Sequence, residues 1–158
     1  MRLKLLITSD RILKVGKHID RIAPLARERL KEFEEISVEY LPNDRNKIKL
    51  ATMKGVVDGY DIIRISGGTG LGDRDVSVEA VRGLLDKELH LFPVEFYSLS
   101  KSPYASLGRP IAGRCVESLI IVSPGSPEAA EATIERIKKV GVHAVEMIKL
   151  KLSGWDKH

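Results

Sequence analysis

Three times in succession the chain runs through the same order: a strand-length apolar stretch, a polar loop, then apolar residues at helical spacing. Nothing else in the sequence restricts its fold as tightly. Leu3 to Thr8 is the first apolar stretch, and it ends at Ser9-Asp10-Arg11. Ile22, Leu25, Ala26, Leu30 and Phe33 then recur at helical spacing, which predicts a helix over 19–35 with Pro24 near its start. Ile36 to Leu41 alternates as a strand does and stops at Pro42-Asn43-Asp44, after which Ile48, Ala51, Met53 and Val56 predict a helix to about Asp58. Tyr60 to Ile65 is the third strand. It opens into the glycine-rich stretch Ser66 to Gly72, followed by a helix expected over 78–89.

Parallel strands joined in this way need a helix-length return, so the order predicts a mostly parallel sheet covered on both faces, a three-layer α/β/α class. Ile111 to Val116 and Leu119 to Val122 are spaced for a hairpin. Ser123-Pro124-Gly125-Ser126-Pro127 then ends a strand and starts a helix, with Ser126 as cap and Pro127 in the first turn. The stretch 128–152 is helical in period, and Gly141 after Lys138-Lys139 predicts a stop and a second helix. In sheets of this class ligands bind outside the carboxyl ends of the strands. The loops that begin at Ser9, Pro42, Ser66 and Ser123 are therefore expected to meet on one edge.

The length of 158 residues suits one domain, expected over 1–152, with a polar tail 153–158 that carries Trp155. No apolar run approaches the roughly 20 residues that cross a bilayer. Met1-Arg2-Leu3-Lys4 enters the first strand without a leader-like hydrophobic region, which predicts a cytoplasmic protein. The 26 basic and 22 acidic residues are finely interspersed, and aromatics make up only 5%. A basic run with stacking aromatics, the mark of many nucleic-acid binders, is missing. Cys115 is the single cysteine, and no two of the four histidines stand at metal-ligand spacing, so neither type is assigned chemistry.

Chemistry gathers instead after the third strand. Glycines at 67, 68 and 70, around Thr69, permit positive φ and let backbone N–H groups approach a phosphate. Asp73-Arg74-Asp75-Val76-Ser77 follows, with Ser77 as the expected cap of the next helix. A carboxylate beside a phosphate cradle repels the phosphate unless a cation intervenes, so Asp75 reads as a ligand for Mg²⁺ carried by a nucleotide. Arg74 reads as a direct neutraliser of phosphate charge.

Gly67-Gly68-Thr69-Gly70-Leu71-Gly72-Asp73-Arg74-Asp75-Val76-Ser77-Val78-Glu79-Ala80 resembles the GGTG-x-x-x-RDVT-x-E-A signature of the MogA/MoaB molybdenum-cofactor biosynthesis family. Thr8-Ser9-Asp10, Leu41-Pro42-Asn43-Asp44, Arg109-Pro110-Ile111-Ala112-Gly113 and Pro124-Gly125-Ser126-Pro127 match it in order and spacing. The resemblance implies a homotrimer or a hexamer, with molybdopterin and ATP as substrates and Mg²⁺ as cofactor. It implies transfer of AMP to the terminal phosphate of molybdopterin, then hand-off to a metal-insertion protein. By position it makes Asp75 the essential acid, with Asp44 and Asn43 standing where the family carries its second acid. Ligand contacts fall to Ser9, Asp10, Ser66, Gly67, Gly68, Thr69, Gly70, Arg74, Ser77, Arg109, Ser123, Pro124, Gly125 and Ser126, and metal contacts to Asp75 and Asp44. Three positions depart from the pattern: Asn43 replaces an acid, Gly108 a serine and Tyr97 an arginine. Asn43 also supports a second reading, a molybdopterin carrier without AMP transfer. A CinA-type domain is disfavoured by Thr69 and Arg74-Asp75.

Overall fold

The computed structural model describes residues 1–154. Six strands form one sheet in the order β2-β1-β3-β6-β5-β4: β1 Arg2–Thr8, β2 Glu35–Leu41, β3 Ile62–Ser66, β4 Lys87–Glu88, β5 Ile111–Cys115 and β6 Ser118–Ser123. The first four strands in that order run parallel, whereas β5 is antiparallel to β6, its hairpin partner, and to β4. Every residue of β3 is buried, as expected of a strand covered on both faces.

Alternation along the strands divides the core in two. Leu3, Leu5, Ile7, Ile62, Leu119 and Ile121 face α2 Ile22–Arg29, α5 Phe92–Leu99, α6 Pro127–Arg136 and α7 Val142–Gly154. Leu6, Ile63, Ile65, Ile120 and Val122 face α3 Arg45–Val57 and α4 Ser77–Val81. A short helix α1, Asp10–Val15, sits at the carboxyl edge. The expected three layers are present.

Four local expectations are corrected. The helix predicted over 19–35 is divided between α1 and α2, because Ser9 Oγ accepts from Ile12 N and starts a helix early. Asp20 then accepts from the amides of Ile22 and Ala23 at 2.8 and 3.2 Å and starts another. The helix predicted over 78–89 ends as α4 and a 3₁₀ turn, Arg82–Leu84, and the chain goes on as β4. Gly113 permits this: a Cβ there would stand 2.3 Å from the Lys87 carbonyl oxygen. Gly141 does not stop the last helix, for a π-helical turn over Ile137–Gly141 joins α6 to α7. Helix α5 was not foreseen.

Among the described residues no helix is long and apolar enough to cross a membrane. Trp155 and the rest of the tail lie outside the described residues, while α7 runs to Gly154.

Candidate functional site

The four loops do meet at the carboxyl edge. β1 lies between β2 and β3, so the chain reverses its direction of growth there, the kind of switch point at which such sheets bind ligands. The contacts between loops are direct. Ser9 N donates to Leu41 C=O at 3.0 Å, and Gly67 N donates to Ser123 C=O at 2.9 Å. Gly67 and Gly68 have φ of +106° and +68°. A Cβ on Gly67 would lie 2.6 Å from the Thr8 carbonyl oxygen, and one on Gly125 would lie 3.2 Å from Gly67 Cα. Glycine is thus required by both backbone angle and space.

The loop is held by its carbonyls. Gly68 C=O accepts from Ser77 N at 3.0 Å, and Thr69 C=O accepts from Arg109 N at 3.1 Å. Gly70 C=O accepts from Arg109 Nε and Nη2 at 3.1 and 2.8 Å. In a trans peptide the carbonyl and the following N–H point in opposite directions, and the chain has no cis peptide. Three carbonyls turned inward therefore turn the amides of Thr69, Gly70 and Leu71 outward. This is a donor array for an anion.

Arg109 is the brace of this array. Besides Gly70 it donates to Asp75 C=O at 3.1 Å, and Nη1 pairs with Glu79, whose carboxyl is held below its ordinary range chiefly by that bond. Asp75 Oδ2 accepts from Gly72 N at 3.1 Å, so the carboxylate stands beside the glycines. Arg74 pairs with Asp10, Nη2 to Oδ2 at 2.6 Å. Asp10 also accepts from Asn43 N and Nδ2 at 3.0 and 3.2 Å. The Asn43 amide bond and Arg74 hold the Asp10 carboxyl below its usual range. Asn43 Oδ1 is buried without a hydrogen-bond partner among the described residues.

Asp44 is exposed and caps α3 through Oδ1, which accepts from Lys47 N at 2.9 Å. The expectation that Ser77 caps α4 is corrected: Ser77 is the first residue of α4, fully buried, and its hydroxyl lies 3.4 Å from that of Thr8. It props the loop from below, because the cap position is Val76. Ser66 and Ser123 are buried at the ends of β3 and β6. Among the described residues no three His, Cys, Asp or Glu side chains form a metal cage. A Mg²⁺ that arrives with nucleotide phosphates and water needs only one or two protein oxygens, and Asp75 with the unpartnered Asn43 Oδ1 are oxygens of the right type.

A cavity of about 460 Å³ opens beside the loop, lined by Gly68, Thr69, Gly70, Asp75, Gly108, Pro124, Gly125 and Ser126. Its far wall is Phe96, Ser100, Ser102 and Tyr104. That wall was missed from sequence, although Phe92 and Phe96 at helical spacing signalled a helix there. Two of the departing positions meet: Tyr97 Oη donates to Gly108 C=O at 2.6 Å, and burial raises the Tyr97 pKa. A second cavity of about 610 Å³, with Ser9, Arg11, His18, Asp20 and Arg21 in its lining, shares Gly125 with the first.

The family described as "Probable molybdopterin binding domain" matches residues 4–142. A protein of Pyrococcus furiosus named molybdopterin adenylyltransferase is 31% identical over 83% of this chain and 82% of its own length. The solved tungsten cofactor synthesizing protein MoaB of the same organism is 28% identical, with a TM-score of 0.80 over 93% of this chain and 96% of that one. The molybdopterin biosynthesis enzyme MoaB of Thermus thermophilus is 34% identical, with a TM-score of 0.79 over 93% and 95%. Matched in sequence across most of its length and in fold over nearly all of it, the chain belongs to the MogA/MoaB family of molybdopterin-binding proteins.

Proposed function

We propose that this protein serves molybdenum or tungsten cofactor biosynthesis as a molybdopterin adenylyltransferase, taking molybdopterin and Mg-ATP and releasing pyrophosphate. A terminal phosphate oxygen of molybdopterin attacks the α-phosphorus of ATP. The bond from that phosphorus to the bridging oxygen of pyrophosphate breaks, and pyrophosphate leaves with the cation. Two anions must approach each other, so alignment and charge neutralisation do most of the work. No side-chain nucleophile is needed.

The observation that carries this reading is the outward turn of the amides of Thr69, Gly70 and Leu71 beside a cavity of about 460 Å³ that also contains Asp75. In the proposed roles these amides hold phosphate, and Asp75 holds Mg²⁺ with Asn43 Oδ1 or Asp44 Oδ2 as the second oxygen. Gly125 and Ser126 shape the pterin side. Mg²⁺ neutralises charge on the phosphates when bound. The name of the Pyrococcus furiosus relative supports the enzyme class. The cytoplasmic location, the homotrimer and the hand-off to a metal-insertion protein belong to the same proposal, and sedimentation tests the trimer.

The carrier reading is favoured by one observation: the pair at 43–44 consists of an amide tethered to Asp10 and an acid engaged as a helix cap. Incubation with molybdopterin and Mg-ATP separates the two. Adenylylated pterin with stoichiometric pyrophosphate supports the transferase, and bound pterin without either product leaves the carrier.

A further inference from the structure

Arg64 lies in the middle of β3 on the face that carries Ile62, and only 1% of it is exposed. Its Nε donates to Ser123 Oγ at 3.4 Å, a long bond, while Nη1 and Nη2 have no hydrogen-bond partner among the described residues. The hydroxyl of Ser66, which pairs in register with Ser123, is likewise buried and unpartnered. Burial lowers the Arg64 pKa to about 10, which leaves the group protonated at neutral pH. A core guanidinium without a carboxylate is costly, and an apolar side chain of similar size would be cheaper.

Its position suggests what the charge is for. Ser123, which Arg64 touches, also accepts the amide of Gly67, and Gly67 packs against Gly125. The cation therefore sits directly beneath both loops of the site. Above it the visible charge is unfavourable to a phosphate: Arg74 is paired with Asp10, Arg109 is paired with Glu79, and Asp75 adds a third carboxylate. A buried charge surrounded by apolar atoms is weakly screened, and its field emerges at the nearest wet surface.

We propose that Arg64 is the buried cationic base of the anion subsite, setting affinity for phosphate-bearing ligands through its field from under residues 67 and 123–125. It is a positioning residue, because it touches no ligand. The inference rests on the functional reading only in taking the 66–70 loop as the phosphate cradle.

The test compares wild type, Arg64→Met and Arg64→Lys by calorimetric titration with pyrophosphate and with Mg-ATP, in low and high NaCl. Arg64→Met is expected to bind pyrophosphate about ten-fold more weakly, with the deficit persisting in high salt because ions do not reach the charge. Arg64→Lys keeps most of the affinity, and the melting temperature of Arg64→Met does not fall. Equal affinity of Arg64→Met and wild type, or a deficit that vanishes in high salt, overturns the inference. So does a wild type that does not bind pyrophosphate at all. If wild type binds pyrophosphate but neither Mg-ATP nor molybdopterin, the transferase reading fails and the Arg64 comparison still stands on pyrophosphate. Should Arg64→Met not fold, wild-type pyrophosphate affinity that disappears in high salt overturns the inference, and retained affinity supports it.

Discussion

Gly67 meets two demands at once, a φ of +106° and a Thr8 carbonyl oxygen 2.6 Å from where a Cβ would be. Gly67→Ala is therefore expected to destabilise the fold by about 1–3 kcal/mol and to abolish pyrophosphate binding, read by thermal denaturation and titration. Asp75→Asn behaves oppositely. An amide oxygen can still accept from Gly72 N, so stability should hold, while AMP transfer falls by at least about a hundred-fold because the cation loses its carboxylate. An Asp75→Asn protein that turns over normally would remove Asp75 from the chemistry. At this scale the sequence was legible where spacing and residue type coincided, at 67–70 and 75. The role of Arg109 was not, because its partners, Gly70 and Glu79, are 39 and 30 residues away and only the fold brings them together.

Elements were legible in order and less so in extent. β1, β2 and β3 follow their apolar runs, but Val78, Val81, Leu84, Leu85 and Leu89 kept helical spacing through a stretch that pairs as β4. Sheet pairing across Gly113 outweighed local periodicity. The brace between α4 and the residue preceding Pro110 gives a pH-dependent prediction. Glu79 titrates below its ordinary value of 4.5 because Arg109 bonds its charged form. Its contribution is complete above about pH 4.5 and is lost as pH falls through the lower, folded-state pKa. Arg109→Met removes that contribution. The gap in melting temperature between wild type and variant should stay constant from neutral pH to about 4.5 and then narrow, and a constant gap at lower pH would deny the pair this role.

The whole molecule is a sheet with two separate interiors, and β6 supplies both. Ile120 and Ile121 are adjacent in sequence, yet one packs against α3 and α4 while the other joins the core of α2, α5 and α6. Ile120→Val and Ile121→Val should each cost about 0.5–1.5 kcal/mol in urea unfolding, and the double variant should cost their sum within about 0.5 kcal/mol. A large coupling energy would mean that the sheet transmits packing from face to face. The layering itself was legible, since helical returns between parallel strands leave little alternative.

The π-helical turn at Ile137–Gly141 carries one residue more than an α-helical path would need. Losing Lys138 or Lys139 would not break the rod. It would convert the turn to ordinary α-helix and rotate everything beyond it by about 100°. Val145 and Ile148, now in the core, would swing toward water. The rod would survive such a deletion better than its packing, and the register of those two side chains is what the surplus residue maintains.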